Sequence, residues 1–562
     1  MVDHRTKGSS SRAACAIIAS SAAIMACFGA TQAVAATSPC AQIQQRSSAN
    51  LQILAARPVV GRLPAADEVH GRGSSATQVN PHLLDLPGFC RVNAILSPVP
   101  GSRIEIELWL PKNWNGKMLG IGSHGFGGNI ERGDMGMAVH RGYAVVTSDL
   151  GHSSRTSETQ AGFNVGDARF AIGNEVAVDD FAWRATHEMT VAAKALVRHH
   201  YGKPPRRSYF NGCSNGGRQA MREAQQFPND YDGILAGSAA MNWTRAFAAT
   251  VSYFQAGMLP SGAKITPAKL LLTQRAAIAA CDGLDGAVDG LIADPQRCNW
   301  RPAALICRPG TSQDSCLIAE EAAAIDKVRN PIADPHTGSL LYDGLMLGGE
   351  ASWRNMTGFN AVTANFYRHM VLGDPSWTPD ARTDLFALLA RSERVGAPGT
   401  RINSTSPDLS AFRARGGKLI QYHGWSDPSF GPLTMARYFT EVSGRQSGRD
   451  KLAGTQSFYR LFMAPGMAHC YGGQGPVNFG ALDHAPSPVI DANHDILEAL
   501  DRWVEKGVAP DRIIATEFTE NNRIRRQMPI CPYPKVAIYT GGDIDRPQSF
   551  TCKIPGKTKT AG

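Results

Sequence analysis

The sequence predicts an α/β domain with a mainly parallel sheet, interrupted by a large insertion. Three observations carry this. Short apolar or β-branched runs alternate with helical patterns from residue 117 to 236, the alternation fades between residues 241 and 406, and strand-like runs resume at Lys418. The predicted strands are residues 117–122 (KMLGIG), 143–149 (YAVVTSD), 208–211, 233–236, 418–423 (KLIQYH) and 458–463. Between them, residues 181–200 carry apolar side chains at helical spacing, and residues 217–227 (GRQAMREAQQF) start a second helix. The middle stretch has helices, proline-rich turns, four cysteines and an Asp/Gly cluster, and such insertions commonly form lids over active sites. At 562 residues, 43% hydrophobic and 19% charged, the composition excludes a disordered, collagenous or coiled-coil chain. The net charge of +9 is spread along the chain, and the cluster at Lys553, Lys557 and Lys559 sits in a polar tail, so no nucleic-acid partner is expected.

Residues 1–35 read as a cleaved export signal. Arg5, Lys7 and Arg12 give a positive start, residues 13–30 are apolar and rich in small side chains, and Ala33-Val34-Ala35 fits a cleavage site. The run is too weakly hydrophobic for a membrane anchor, and no later run is long and apolar enough to span a bilayer. The mature chain is therefore expected to be secreted or periplasmic. Cys15 and Cys27 fall in the leader, and the ten remaining cysteines form an even set that implies disulfides, although spacing alone does not fix their pairing.

The sharpest chemical signal is Gly212-Cys213-Ser214-Asn215-Gly216, which fits G-x-S-x-G between a predicted strand and a predicted helix. That context puts a serine hydroxyl on a strained strand-to-helix turn, at the N-terminus of the helix that follows. A serine nucleophile needs a base, and the base needs an orienting acid, in the chain order Ser, Asp or Glu, His. Asp427 lies just past the strand at 418–423, and His469 just past the strand at 458–463. Parallel strands deliver these loops to one edge of a sheet. His423, inside a predicted strand, reads as a packed or supporting histidine. Cysteine precedes Ser214 and follows His469. If the serine and histidine meet, Cys213 and Cys470 lie close enough for a disulfide.

This Cys-Ser…Asp…His-Cys arrangement resembles the tannase and feruloyl esterase family of secreted α/β-hydrolases, which includes the hydrolase of mono(2-hydroxyethyl) terephthalate. The resemblance runs from about Cys40 to Cys552. It implies an α/β-hydrolase core at residues 36–240 and 407–562, with a lid at 241–406. It implies Ser214 as nucleophile, Asp427 as orienting acid, His469 as general base and acid, and a Cys213–Cys470 bridge. It also suggests the pairs Cys40–Cys90, Cys281–Cys298, Cys307–Cys316 and Cys531–Cys552. An oxyanion hole needs two donors. The backbone N–H of Asn215 is one, and the loop Gly122-Ser123-His124-Gly125-Phe126-Gly127-Gly128 supplies the other, best matched by Gly125. This chain has Ser-His-Gly where many relatives have Asn-Gly-Gly.

The loop Cys281-Asp282-Gly283-Leu284-Asp285-Gly286-Ala287-Val288-Asp289-Gly290-Leu291 carries three aspartates, which suit either an Asx-turn loop or a hard cation. The resemblance implies a structural calcium ion held by the carboxylates of Asp282, Asp285 and Asp289 and the carbonyls of Ala287 and Leu291. A rival class is a dinucleotide-dependent oxidoreductase, because Gly120-Ile121-Gly122-Ser123-His124-Gly125 formally fits G-x-G-x-x-G and Asp149 ends the next strand. The motif needs a helix at once, whereas Phe126, Gly127, Gly128 and Asn129 prolong the loop, so no redox cofactor is expected. A binding protein on an inactive hydrolase scaffold is a third class, disfavoured by the intact Ser, Asp and His. The resemblance implies esters of aromatic acids as substrates, with hydroxycinnamates such as ferulate first, gallate second and terephthalate monoester third. Trp425 and Phe430 flank Asp427 as candidate pocket residues. The aromatics of residues 351–377 (Trp353, Phe359, Phe366, Tyr367 and Trp377) read mostly as core of the insertion.

Overall fold

Nine strands form the central sheet in a computed structural model, ordered β1-β2-β3-β5-β4-β6-β7-β10-β11. They are β1 (Leu51–Gly61), β2 (Leu86–Leu96), β3 (Ile104–Pro111), β4 (Lys117–Ile121), β5 (Ala144–Ser148), β6 (Arg207–Cys213), β7 (Gly233–Gly237), β10 (Lys418–Gly424) and β11 (Tyr459–Ala464). β1, β2, β3 and β5 pair antiparallel in turn, and β5, β4, β6, β7, β10 and β11 run parallel. This is an α/β-hydrolase-type sheet. The structure describes residues 38–64, 67, 80–154, 166–257, 265–310, 312–353, 361–481 and 485–556. The expected export signal at 1–35 lies outside them, as do Lys557, Lys559 and Phe359.

The strands read as continuous apolar runs because both faces of the sheet are covered. Met118, Val146, Phe210 and Ile234 enter one core, while their neighbours Leu119, Val145, Tyr209 and Leu235 enter the other. The helices Ala185–Tyr201 and Asn215–Gln226 close the first core with Met189, Leu196 and Met221. The helices Arg132–His140 and Ile496–Lys506 close the second with Met135, Leu500 and Trp503. The antiparallel wing β1–β3 departs from the expected strand set. Its outer strand is exposed or half-buried apart from Ile53, is bulged twice and contains Pro58, so no long apolar run announces it.

β7 and β10 are neighbours in the sheet, although residues 238–417 separate them in the chain. That intervening chain contains the helices Trp243–Gly257 and Pro267–Cys281 and a small hairpin of β8 (Ile332–Ala333) and β9 (Leu340–Tyr342). Its aromatics share the first core: Trp243 packs 5.2 Å from Phe126 and 5.5 Å from Phe181 between ring centroids. Residues 39–562 accordingly form one compact unit. Two hairpins, β12 (Ile513–Phe518) with β13 (Ile524–Ile530) and β14 (Val536–Tyr539) with β15 (Phe550–Lys553), end the chain. Among the described residues no helix is long and apolar enough to cross a membrane.

A buried ionic cluster fixes where the glycine loop after β4 leads. Glu107 on β3 is fully buried and accepts from Arg91 Nε (2.8 Å), Arg132 Nη2 (3.0 Å) and Trp109 Nε1 (2.7 Å). Arg132 opens the helix that follows this loop, so the cluster ties the loop's far end to the sheet. Burial raises the Glu107 carboxyl, but Arg132 and Arg91 outweigh that and hold it below its usual 4.5. The stability it contributes is therefore complete above about pH 4.5 and is lost as pH falls through the depressed folded value. Glu107→Gln should cost about 3–5 kcal/mol in urea unfolding at pH 7. It should also flatten the loss of stability below pH 4.5 relative to wild type.

Candidate active site

Ser214 is the single residue between β6 and the helix Asn215–Gln226, with φ 63° and ψ −120°. This left-handed conformation is costly for a side chain bearing a Cβ, and its surroundings hold it there. Ser214 N donates to Gly237 O at 3.0 Å, and Ser214 O accepts from Arg218 N and Ala240 N, both at 3.0 Å. The flanking glycines allow backbone to pack on backbone. A Cβ at Gly212 would lie 2.6 Å from Gly216 C, and one at Gly122 would lie 2.5 Å from Gly216 Cα. The helix start thus rests directly on the glycine loop. Arg218, fully buried, donates to Asn215 Oδ1 (2.7 Å), Asn215 Nδ2 donates to Ser123 Oγ (3.1 Å), and Ser123 N donates to Gln219 Oε1 (2.9 Å). These bonds fix the positions of the Asn215 and Gly125 backbones relative to Ser214.

The loops after β10 and β11 bring the other two predicted residues to Ser214. His469 Nε2 lies 2.9 Å from Ser214 Oγ, and His469 Nδ1 lies 2.9 Å from Asp427 Oδ2. Asp427 Oδ1 accepts from Ser429 N (2.8 Å) and Phe430 N (3.2 Å). Burial raises the Asp427 carboxyl, but the charge of His469 and the hydrogen bonds from His469 and Ser429 hold it below the usual carboxylate range. Cys213 and Cys470 are bonded, with Cα atoms 5.9 Å apart. Cys470 also has a positive φ (68°), and its N–H donates to Ser238 Oγ at 3.1 Å. Ser238, which follows β7, was not singled out from sequence; a lone serine after a strand carries no signal there. The other bridges are Cys40–Cys90, Cys281–Cys298, Cys307–Cys316 and Cys531–Cys552.

Ser214 and His469 open into a cavity of about 1140 Å³. Gly125 lines it beside Ser214 with φ 52°, and the Asn215 N–H, first in its helix, has no acceptor within that helix. Phe430 lines the cavity, its ring centroid 5.5 Å from that of His469. Trp425 does not: it faces a separate cavity of about 300 Å³ with Met463 and Tyr533, because it leaves the turn two residues before Asp427 and points away. Trp353, Phe366 and Tyr367 are buried core. The aromatic wall comes instead from Trp243 and Phe247, four residues apart on one helix face, with Val362, Leu271 and Tyr471 beside them. The insertion also grips the acid loop. Ser352 Oγ donates to Ser426 O at 2.9 Å, and a Cβ at Gly349 would sit 2.6 Å from Ser426 Cβ.

The family model described as tannase and feruloyl esterase matches residues 90–553. This chain belongs to that family. An uncharacterized esterase from Xanthomonas campestris is 36% identical over 497 residues, covering 83% of this chain and 84% of that one. Feruloyl esterase B from Aspergillus niger is 32% identical, covering 83% of this chain and 86% of its own. The crystal structure of feruloyl esterase B from Aspergillus oryzae superposes with a TM-score of 0.81 at 27% identity, covering 92% of this chain and 99% of that chain. The protein is thus a carboxylic ester hydrolase of the tannase and feruloyl esterase family. The dinucleotide reading falls with this. Asp149 is buried, accepts from Glu105 N (2.9 Å) and Gly151 N (2.8 Å), and burial pushes its carboxyl up to about 8, so it caps a turn.

In the aspartate loop, Asp282 accepts from Asp289 N (3.0 Å) and Gly290 N (2.9 Å), Asp285 from Ala287 N (3.0 Å), and Asp289 from Leu291 N (3.1 Å). These are the Asx-type bonds of a tight loop. The donor set also suits a cation at one point. Asp289 Oδ2 is buried without a hydrogen bond, 3.4 Å from Arg526 Nη1. Burial, and then the like charges of Asp285 and Asp282, push the Asp289 carboxyl up to about 6 against the pull of Arg526. Among the described residues, the groups that bring three ligand atoms within 4.8 Å of one another are His124–Glu131–Asp134 and His187–Glu223–Asp230, and the three loop aspartates are not among them. Ala287 and Leu291 anchor the aspartate loop in the same small core as Met528, Ala537 and Phe550 of the final hairpins.

The disulfide between the neighbours of Ser214 and His469 should matter for both folding and rate. Cys213→Ser with Cys470→Ser should lower stability by about 2–5 kcal/mol. Loosening of the Ser214–His469 contact should lower kcat on a soluble ester by about 100-fold. Urea unfolding and steady-state kinetics on the same preparation check both.

Proposed function

We propose that the protein is an exported feruloyl-type esterase working through Ser214, His469 and Asp427. The reading is carried by His469 standing 2.9 Å from both Ser214 Oγ and Asp427 Oδ2 at the edge of an aromatic-walled cavity. Ser214 Oγ attacks the ester carbonyl as its proton passes to His469 Nε2. His469 Nδ1–H stays bonded to Asp427, whose ionised carboxylate stabilises the imidazolium. The carbonyl oxygen, now carrying the negative charge, is met by the N–H groups of Asn215 and Gly125. Collapse breaks the bond to the alcohol oxygen, which leaves with the proton from His469. Water, deprotonated by the same imidazole, then releases the acid and restores Ser214.

Aromatic-acid esters fit the flat rings of Trp243, Phe247 and Phe430 around the cavity. The similarity to relatives named feruloyl esterase B is what places the hydroxycinnamate reading ahead of gallate and terephthalate monoester. Residues 241–406, which supply Trp243, Phe247 and Val362 to the cavity wall, act as its lid. Five disulfides suit an oxidising compartment, in keeping with a cleaved signal at residues 1–35. A calcium ion would be held by Asp282, Asp285 and Asp289 with the carbonyls of Ala287 and Leu291. Its contribution is to neutralise those carboxylates and brace the insertion against the C-terminal hairpins.

Ser214→Ala should lower kcat by about 10⁴-fold or more while the protein stays folded by circular dichroism. On wild type, kcat/KM should be highest on methyl ferulate, then methyl gallate, then the terephthalate monoester; faster turnover of short aliphatic esters than of all three would overturn the substrate reading. Chelation should lower Tm by about 5 °C with kcat unchanged, and Asp289→Asn should remove that response. An unchanged Tm would leave the loop as an Asx turn.

A further inference from the structure

His423 is a fully buried imidazole on β10 that takes no proton in the reaction above. Its Nε2 lies 2.7 Å from Phe430 O and 3.3 Å from Asp427 Oδ2. The Phe430 carbonyl accepts, so Nε2 carries a hydrogen. Burial, the largest influence, drives the imidazole toward its neutral form, and the charge of His469 adds to this, against the pull of Asp427 and the Phe430 carbonyl. A neutral ring with its hydrogen on Nε2 leaves Nδ1 bare, and Nδ1 has no hydrogen-bond partner among the described residues. A buried ring with one unmet nitrogen is costly at a position that a phenylalanine would fill more cheaply. The cost is offset only if the Nε2–H bond is needed.

We propose that His423 is a positioning residue for ester hydrolysis, a donor to the Phe430 carbonyl that holds the turn at 427–430 on which Asp427 sits. This rests on the assignment of Asp427 as the acid that orients His469. Asp427 Oδ1 accepts Phe430 N–H, and His423 Nε2–H holds the carbonyl of the same Phe430, so the imidazole fixes the turn that grips the carboxylate, with Nε2 itself 3.3 Å from Asp427 Oδ2. Oδ2 is the same atom that accepts from His469 Nδ1. A charged ring there would repel the imidazolium that forms on His469, whereas a neutral one holds the turn without that penalty. Phe430 also lines the cavity, so the one hydrogen bond sets both the acid's turn and a wall of the pocket. The titratable groups facing this site are Asp427, His469, His423 and Tyr342, whose hydroxyl accepts from Gly431 N and feels the charge of Asp427.

The test compares His423→Phe, which removes the donor, with His423→Gln, whose side-chain N–H reaches the same place. His423→Phe should lower kcat about 10-fold with KM nearly unchanged. With the turn no longer held, the Phe430 N–H bond to Asp427 loosens and the carboxylate holds more negative charge against His469, so the acid limb of kcat/KM should move up by about 0.5 pH unit. His423→Gln should restore both, which a role in packing alone does not predict. If neither variant folds, selective ¹⁵N-histidine NMR of the wild type decides. One ring should keep its hydrogen on Nε2 and stay neutral from about pH 8 to pH 5, and a ring at this position that titrates or carries Nδ1–H overturns the proposal. Asp427→Asn separates the two readings. If it abolishes activity while His423→Phe leaves kcat and the acid limb in place, His423 is only packing; if it keeps wild-type kcat, the assignment of Asp427 itself is wrong.

Discussion

The bond between Cys213 and Cys470 is the constraint on which the site depends. Each cysteine adjoins one of the two side chains that meet in the site, and the bridge joins points 257 residues apart in sequence. Ser214 and Cys470 both have positive φ, a conformation that non-glycine residues leave unless the surroundings enforce it. The covalent link, the bond from Cys470 N to Ser238 and the close approach of Gly212, Gly216 and Gly122 together enforce it. The serine and imidazole meet because the backbone around them has nowhere else to go.

The sheet supplies the frame for that joint. β6, β7, β10 and β11 are consecutive neighbours in a parallel array, so the chain leaves all four at the same edge. Ser214, Ser238, Asp427 and His469 follow those four strands in turn. The segment between β7 and β10 leaves from the same edge and supplies the aromatic wall. Chemistry therefore comes from the sheet and shape from the inserted chain, a division that lets related enzymes vary one while keeping the other.

The parts of this arrangement that sequence made legible are those with local grammar. Buried parallel strands are apolar throughout, so β4 to β7, β10 and β11 stood out, and Gly-Cys-Ser-Asn-Gly could be read because a tight strand-to-helix turn demands small residues. The antiparallel wing was missed because β1 is an edge strand broken by bulges and a proline. Trp243 and Phe247 were missed because aromatics at helical spacing look the same whether they face a core or a cavity, and here Trp243 does both. Trp425 misled for the complementary reason. Proximity to Asp427 in sequence says nothing about which side of a turn a ring occupies.

The contacts of Gly349 and Ser352 with Ser426 bear on how the inserted chain can move. Ser426 immediately precedes Asp427, so the inserted chain cannot swing outward as a rigid flap without pulling the acid away from its imidazole. Movement of the inserted chain and the setting of Asp427 are therefore coupled.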